Sequence, residues 1–262
     1  MPEYSFPREV IYLIILLSPA KTMNFVDPIP SSFNIEKPIF NNNSILLNDT
    51  LRNIDEKLLK QKMNLSDKLL PGVTNLIHNF TGNYKNGRQS IFAYRGAVYK
   101  AINSLTFNEK QMAFAQNHLR ILSGLYGVLK PLDGIEEYRL EMKTKLHIKN
   151  SSSIAEYWKD ILTNYFRTFE SSDVIINLAS NEYSKIIDFS KINVPVINIS
   201  FGEIINNTIK YPPMYSKMAR GEMAGFIVRN FLKFPEHLKG FNINNYSYNN
   251  KLSSVDNYIF TR

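Results

Sequence analysis

The stretch HLRILSGLYGVLKPLDGIEEYRLE, residues 118–141, is the part of the chain around which the rest is organised. Its apolar residues flank a turn that contains Gly124 and Gly127, and a Lys130-Pro131 break follows that turn. Glycine accepts positive φ angles and lets another backbone or a ligand approach closely. The stretch is therefore compatible with two structures: a helix–hairpin–helix that contacts a phosphate backbone, or a strand whose end forms a loop around a small ligand.

The composition indicates a globular protein with a basic surface. The chain has 262 residues, 44% of them hydrophobic, which allows a sizeable buried core. Its formal charge of +8 favours anionic partners such as nucleic acid or nucleotides. The absence of cysteine excludes disulfides and thiolate metal sites. We predict no metal site and no cofactor, because the four histidines lie far apart in the sequence: His78, His118, His147 and His237.

The apolar run at residues 10–17, followed by Ser18-Pro19-Ala20, superficially resembles a signal peptide with its cleavage site. The run is too short to span a bilayer, and Pro19 lies inside the supposed site. Continuous Val/Ile/Leu runs are typical of strands buried in a parallel sheet. We therefore predict a buried strand, a cytoplasmic protein and no contact with a membrane.

Strands and helices are interspersed along the whole chain. Apolar runs predict strands at residues 10–17, 173–179 and 194–201, and a shorter strand at 91–94. Apolar residues at the 3.6-residue period predict helices at 107–119 and 153–169, and a last helix that begins near residue 216. Alternating aromatic residues predict a closing hairpin at 245–262. This pattern predicts an α/β (mixed α+β) fold with a central mixed sheet surrounded by helices.

Polar residues follow the predicted strands at their carboxyl ends, where α/β sheets bind ligands. Arg139 could clamp an anion bidentately or pair with a nearby glutamate. Glu182 could accept a proton as a general base, hydrogen-bond a nucleobase or serve a structural role. The residues that we predict to line a pocket for a nucleotide or nucleobase are Ser18, Thr22, Tyr126, Asn181, Glu182 and Tyr183.

Lys217 and Arg220 lie three residues apart near the predicted start of the last helix, so they share a face. Free N–H groups at a helix N-terminus bind anions, and cations placed there would add to such a site. The residues that we predict to bind DNA or another anion are Lys21, Arg120, Lys130, Arg139, Lys217 and Arg220. No residue can be assigned a catalytic role from the sequence.

Four motifs, in the same order along the chain, resemble the YaaA family of bacterial peroxide-stress proteins. They are LLSPAKTM (16–23), FAQNHLRILSGLYGVLKPLDGIEEYRLEM (114–142), INLASNEY (176–183) and KMARGEM (217–223). The resemblance covers residues 13–262 as a single domain, so residues 1–12 are expected to be an extension. The chain departs from the family pattern at Ala97, where an aspartate usually follows the glycine at position 96.

The resemblance implies a cytosolic protein of the response to hydrogen peroxide, which limits iron-driven oxidative damage. It also implies DNA binding through a basic cleft and a mixed α/β fold with a helix–hairpin–helix-like element. Two functions are therefore open at this point. The first is a stress protein that binds double- or single-stranded DNA without catalysis, and the second is an enzyme that acts on a nucleotide or nucleobase.

Overall fold

A central sheet of eight strands carries the rest of the molecule in the computed structural model, which describes residues 12–206 and 208–262. In chain order the strands of the described residues are β1 (Leu13–Leu17), β2 (Thr22–Met23), β3 (Arg88–Gln89), β4 (Tyr94–Arg95), β5 (Leu119–Ser123), β6 (Gly127–Leu129), β7 (Gly134–Ile135), β8 (Val174–Asn177), β9 (Val196–Ile205), β10 (Thr208–Lys210), β11 (Ser247–Tyr248) and β12 (Asn257–Thr261). The α-helices are α1 (Asn41–Arg52), α2 (Glu56–Met63), α3 (Leu70–Asn79), α4 (Ser90–Ala93), α5 (Ala97–Ile102), α6 (Glu109–His118), α7 (Ile154–Phe166), α8 (Asn181–Ser184) and α9 (Pro213–Arg229).

Five parallel strands form the middle of the sheet in the order β12-β9-β8-β1-β5. Antiparallel partners extend it, since β6 pairs with β5, β11 with β12 and β10 with β9. The strand order reverses beside β1, because β5 lies on one side of it and β8, the next parallel strand along the chain, on the other. Such a reversal is the place where open α/β sheets bind ligands, outside the carboxyl ends of the strands. The predicted mixed α/β class is confirmed.

The β1 strand lies inside the sheet, between β8 and β5, and has no polar side chain. All five of its residues are at most 1% exposed, as expected for a parallel strand that is covered on both faces. Its burial agrees with the predicted strand, although the first part of the predicted segment, residues 10 and 11, lies outside the described residues. The same is true of most of the predicted extension at residues 1–12. No helix of the described chain is both long and apolar enough to cross a membrane.

Within the stretch 118–141, residues 119–129 form a β-hairpin. The β5 strand pairs with β6 through a turn that joins Ser123 to Gly127. Gly127 has a φ of +70°, and a Cβ atom there would lie 2.5 Å from the ring of Trp158. The indole of Trp158 donates a hydrogen bond of 2.9 Å to the carbonyl of Gly124. The two glycines thus serve a tight turn and close packing, and the helix–hairpin–helix element implied by the family resemblance is not confirmed.

Two local predictions are wrong. The sequence predicts a strand at residues 91–94, but residues 91–93 belong to the helix α4 and β4 begins only at Tyr94. Periodicity cannot distinguish a four-residue buried strand from one buried helical turn. The last helix begins at Pro213, where proline is favoured in the first turn, and not near Ser216. The Ser216 hydroxyl instead donates to the carbonyl of Phe201 at 3.0 Å.

Candidate functional site: an anion pocket at the ends of β1 and β8

A pocket of about 350 Å³ opens where β1 and β8 end. Its first wall is formed by residues 18–22, which follow β1, and its second by Ser180, Glu182 and Tyr183, which follow β8. The start of α5, residues 138–141 and one face of α9 close the remaining sides. The pocket therefore lies at the reversal of strand order, where this class of sheet binds ligands.

Two serines tie the ends of β1 and β8 together. The Ser18 hydroxyl accepts a hydrogen bond from the backbone N–H of Ser180 at 2.8 Å and donates to the Ser180 hydroxyl at 3.1 Å. The hydroxyl of Tyr99 donates to the carbonyl of Ser18 at 2.9 Å. Among the described residues, the proton of the Ser180 hydroxyl has no acceptor of its own. This hydroxyl can therefore donate to a ligand in the pocket.

Cations outnumber carboxylates in the pocket lining. The lining contains five cations, namely Lys21, Arg95, Arg139, Lys217 and Arg220, and two carboxylates, Glu141 and Glu182. Glu141 is shared, since its Oε1 atom lies 2.8 Å from Lys21 Nζ and 3.9 Å from Arg139 Nη2. Arg95 pairs with Asp27 outside the pocket. The lining thus carries a formal excess of three positive charges.

The two cations on α9 have no partner within the described part of the chain. Neither Lys217 nor Arg220 forms an ion pair or a side-chain hydrogen bond there, and Arg220 is half-buried. Burial lowers the pKa of the Arg220 guanidinium. A charge that is removed from water without a partner costs free energy. An anion bound in the pocket would offset that cost.

Glu141 is held in its charged form at the opposite side of the pocket. Burial alone would raise the pKa of this carboxyl, but the ammonium groups of Lys21 and Lys143 hold it below its ordinary value. Their Nζ atoms lie 2.8 and 3.2 Å from its two oxygens. Glu141 therefore orients cations for the pocket and stays ionised over the physiological pH range.

A chain of hydroxyl groups lies behind the pocket. The Tyr138 hydroxyl, on a residue that lines the pocket, is 2.7 Å from both the Tyr94 hydroxyl and the Ser123 hydroxyl. Ser123 Oγ accepts hydrogen bonds from the backbone N–H groups of Leu125 and Tyr126, so its own proton is donated to Tyr138. Burial raises the pKa of Tyr138 to about 12. Tyr138 is therefore a neutral phenol, and its oxygen accepts a hydrogen bond from Ser123.

Eight of the twelve predicted site residues lie around this one pocket. They are Ser18, Lys21, Thr22, Arg139, Glu182, Tyr183, Lys217 and Arg220. Lys217 and Arg220 reach the pocket from the second and third turns of α9, because the helix begins at Pro213. Their predicted place at the start of the helix is therefore wrong, whereas anion binding by these two cations, which line the same pocket, stays a prediction.

The other four predicted residues lie elsewhere. Arg120 is buried and donates to the Tyr165 hydroxyl at 2.8 Å and to a backbone carbonyl at 2.7 Å, which gives it a structural role. Tyr126 is buried, and its hydroxyl accepts a hydrogen bond from the backbone at 3.0 Å. Lys130 is half-buried after β6, and Asn181 is exposed at the start of α8 outside the pocket lining.

Several lining residues were not among the predicted ones. Ser180 directly precedes a predicted cluster, and the sequence therefore contained a signal for it. Tyr99 and Arg95 come from a segment that local sequence gives no reason to place beside β1 and β8. Ala97, at the position where the family pattern usually has aspartate, lines the pocket. This chain therefore has one carboxylate fewer there than that pattern would give.

The described residues contain no group of three or more His, Cys, Asp or Glu side chains placed to hold a metal ion.

Comparisons with known proteins agree on one family. A family model described as "Peroxide stress protein YaaA" matches residues 13–252. The chain is similar to the UPF0246 protein FP0718 of Flavobacterium psychrophilum, with 36% identity over 251 residues that cover 95% of this chain and 99% of the relative. It is also similar to a UPF0246 protein of Hahella chejuensis, with 38% identity over 255 residues and the same coverage. The chain therefore belongs to the peroxide stress protein YaaA family.

Proposed function

We propose that this peroxide stress protein acts by binding a small anionic ligand, of the phosphate-bearing nucleotide class, in the pocket at the ends of β1 and β8. The observation that carries the proposal is Arg220, a half-buried guanidinium that faces the pocket without a carboxylate partner in the described chain. Lys217, three residues earlier on the same helix, also has no ion pair among the described residues. A phosphate would meet both cations at once, and arginine binds phosphate oxygens bidentately.

The size and the lining of the pocket support a mononucleotide. Pockets for small molecules typically enclose about 300–1,000 Å³, and this one has about 350 Å³. A phosphate at Arg220 would leave the hydroxyls of Ser180 and Tyr138 and the carboxylate of Glu182 for the rest of the ligand. Carboxylates accept hydrogen bonds from nucleobase amino groups. The ligand would therefore lie with its anionic end against α9 and its donor groups toward α8.

The same arrangement supports an enzyme that acts on a nucleotide or nucleobase. Glu182 is exposed at the pocket and makes no ion pair within the described residues, so it is the candidate general base. Tyr138 is the candidate proton donor, since it is a neutral phenol whose oxygen already accepts a hydrogen bond from Ser123.

Isothermal titration calorimetry with AMP and with inorganic phosphate, at low salt, tests the proposal. We expect Lys217→Ala to weaken AMP binding about tenfold, because one charge-assisted hydrogen bond is worth roughly 1.5–3 kcal/mol. Lys110→Ala is the matched control, since Lys110 is an exposed lysine on α6 outside the pocket. Equal affinity of the two variants would contradict the assigned site, and the absence of AMP and phosphate binding to the wild type would refute the proposal.

DNA is the second candidate ligand, favoured by the formal charge of +8 and by the excess of cations at the pocket. In this alternative, Lys21, Arg139, Lys217 and Arg220 contact phosphates of a double- or single-stranded DNA. A gel-shift titration at about 50 and 200 mM salt should then show a steep loss of affinity. Competition with AMP tests whether DNA binds at the pocket, because a nucleotide in the pocket would displace DNA that is held by the pocket cations.

In the cell, we propose that the protein acts in the cytoplasm and limits iron-driven oxidative damage through this ligand-bound state. Survival of a deletion strain in hydrogen peroxide should be restored by the wild-type chain and by the Lys110→Ala control. It should not be restored by Arg220→Gln. If all three chains restored survival equally, the stress function would not depend on the pocket.

A further inference from the structure

Two methionines on α9 are the exposed methionines of the described chain. Met214 is 63% exposed and Met218 is 38% exposed. The other described methionines are half-buried or buried: Met23, Met63, Met112, Met142 and Met223. Because the protein has no cysteine, thioethers are its only sulfur groups. A peroxide that reaches the protein from solvent therefore meets two preferred sulfur targets in the described part of the chain.

Met214 and Met218 lie one helical turn apart, on one face of α9. Together with Lys100 and Glu222 they line a depression of about 410 Å³. This depression shares Gly96 and Ala97 with the anion pocket. The helix α9 therefore contributes Met214 and Met218 to the depression, and Lys217 and Arg220 to the anion pocket.

The residues shared by the two cavities belong to a region where α5 packs tightly against α9. A Cβ atom at Gly221 would lie 2.1 Å from the carbonyl oxygen of Val98, which leaves no free space between α9 and α5. Closely packed elements move together and do not deform independently. The helices α5 and α9 therefore form one packed unit that borders both the depression and the anion pocket.

We propose that Met214 and Met218 are a peroxide-oxidation site whose state sets the affinity of the neighbouring anion pocket. Hydrogen peroxide transfers one oxygen atom to the thioether sulfur, its O–O bond breaks, and the products are methionine sulfoxide and water. The sulfur loses two electrons and the peroxide gains them. The oxidation site stands on exposure alone, whereas its effect on affinity rests on the proposed function.

The expected effect is a weaker pocket after oxidation. Oxidation turns an apolar side chain into a polar one that accepts hydrogen bonds. Lys217 follows Met214 by three residues, so the two side chains are neighbours on the helix surface, and its ammonium has no ion pair among the described residues. A sulfoxide oxygen at residue 214 would compete with the ligand for this ammonium. We expect AMP affinity to fall about fivefold, the value of one ordinary hydrogen bond.

The test treats the full chain with hydrogen peroxide and follows each methionine by peptide mass spectrometry. We expect Met214 and Met218 to be oxidised well before Met142 and Met223, which are fully buried. AMP titration before and after oxidation then measures the fivefold loss, and methionine sulfoxide reductase should restore the affinity. The double variant Met214→Leu/Met218→Leu should bind AMP like the wild type and should not respond to peroxide.

Each outcome decides one part of the proposal. Equal oxidation rates for exposed and buried methionines would overturn the oxidation site. It would also be overturned if contact with a second copy of the chain shielded Met214 and Met218 from peroxide. Full oxidation with unchanged AMP affinity would overturn the coupling. If the untreated protein binds neither AMP nor inorganic phosphate, the proposed function and the coupling both fail, while the mass spectra still decide the oxidation site.

Discussion

Replacing Arg220 with glutamine should lower anion affinity without lowering stability. In the described chain the guanidinium of Arg220 has no hydrogen-bond or ion-pair partner, and burial lowers its pKa. The folded protein therefore gains nothing from this charge when the pocket holds no anion. Four other cations line the same pocket and repel it. The substitution removes the repulsion and keeps most of the side-chain volume.

The two effects have different sizes. A bidentate, charge-assisted contact to a phosphate is worth roughly 1.5–3 kcal/mol, so AMP affinity should fall about 10- to 100-fold. The free energy of unfolding should stay within about 0.5 kcal/mol of the wild type or rise above it. Calorimetric titration measures the first quantity, and urea unfolding followed by tryptophan fluorescence of the single Trp158 measures the second.

Arg229→Gln is the matched control, because the same substitution on the same helix should act in the opposite way. The guanidinium of Arg229 donates to the carbonyl of Ile102 at 2.6 Å and lies 5.3 Å from the ring centre of Phe107. Losing both contacts should cost about 2 kcal/mol and lower the melting temperature by about 5 °C. AMP affinity should not change, since Arg229 lies outside the pocket.

The reasoning fails if Arg220→Gln and Arg229→Gln do not differ in AMP affinity and in stability as expected. A clear loss of stability in Arg220→Gln would mean that this guanidinium has a structural partner in solution. Unchanged AMP affinity in that variant, with a wild type that does bind AMP, would mean that the ligand sits elsewhere. Weaker AMP binding in Arg229→Gln would show that the affinity depends on the packing of α9 and not on the pocket cations.

Four further variants test the fold, the titration of Asp133 and the hydroxyl chain. Gly127→Ala should cost about 2 kcal/mol or more, since φ is +70° and the new Cβ would meet the Trp158 ring at 2.5 Å, whereas Gly72→Ala in α3 has open space and should gain about 0.5–1 kcal/mol in urea unfolding. Burial raises the pKa of Asp133 to about 7, so the native state binds more protons than the unfolded state between about pH 4 and 7. Its contribution to stability is therefore lost as the pH rises through this window, by up to about 4 kcal/mol, and Asp133→Asn should flatten that part of the stability–pH curve. Tyr138→Phe removes two hydrogen bonds of 2.7 Å and should cost about 1–3 kcal/mol and weaken AMP binding, and unchanged values would exclude the hydroxyl chain from the site.

The sequence predicts those pocket residues that directly follow a predicted strand. Parallel strands bring their carboxyl ends to one edge of a sheet, so residues directly after two apolar runs are expected to meet. Ser18 and Glu182 line the same pocket although they lie far apart in the chain. The central burial of β1 is predictable for a similar reason, since a strand without polar side chains needs cover on both faces.

Local sequence cannot predict contacts that depend on packing between distant elements. Arg120 lies in the motif-rich stretch and carries a charge, which made it a candidate for phosphate binding. Its guanidinium instead meets the hydroxyl of Tyr165, 45 residues further on. Tyr99 enters the pocket because α5 packs against α9, and neither helix contains a signal for that pairing.

The layout of charge within the pocket bears on the choice between the two proposed ligands. Lys21 and Arg139 already share Glu141, so any anion that contacts them must compete with a carboxylate. Lys217 and Arg220 have no ion pair among residues 12–206 and 208–262, and they lie on one face of a single helix. Affinity should therefore come mainly from one phosphate group at α9. A long polyanion gains by neutralising many cations spread along a groove, whereas one phosphate at a 350 Å³ pocket favours a compact ligand. A DNA strand would have to insert a terminal or unstacked nucleotide to use the same cations, so single-stranded DNA with a 5′-phosphate should compete with AMP far better than a closed duplex.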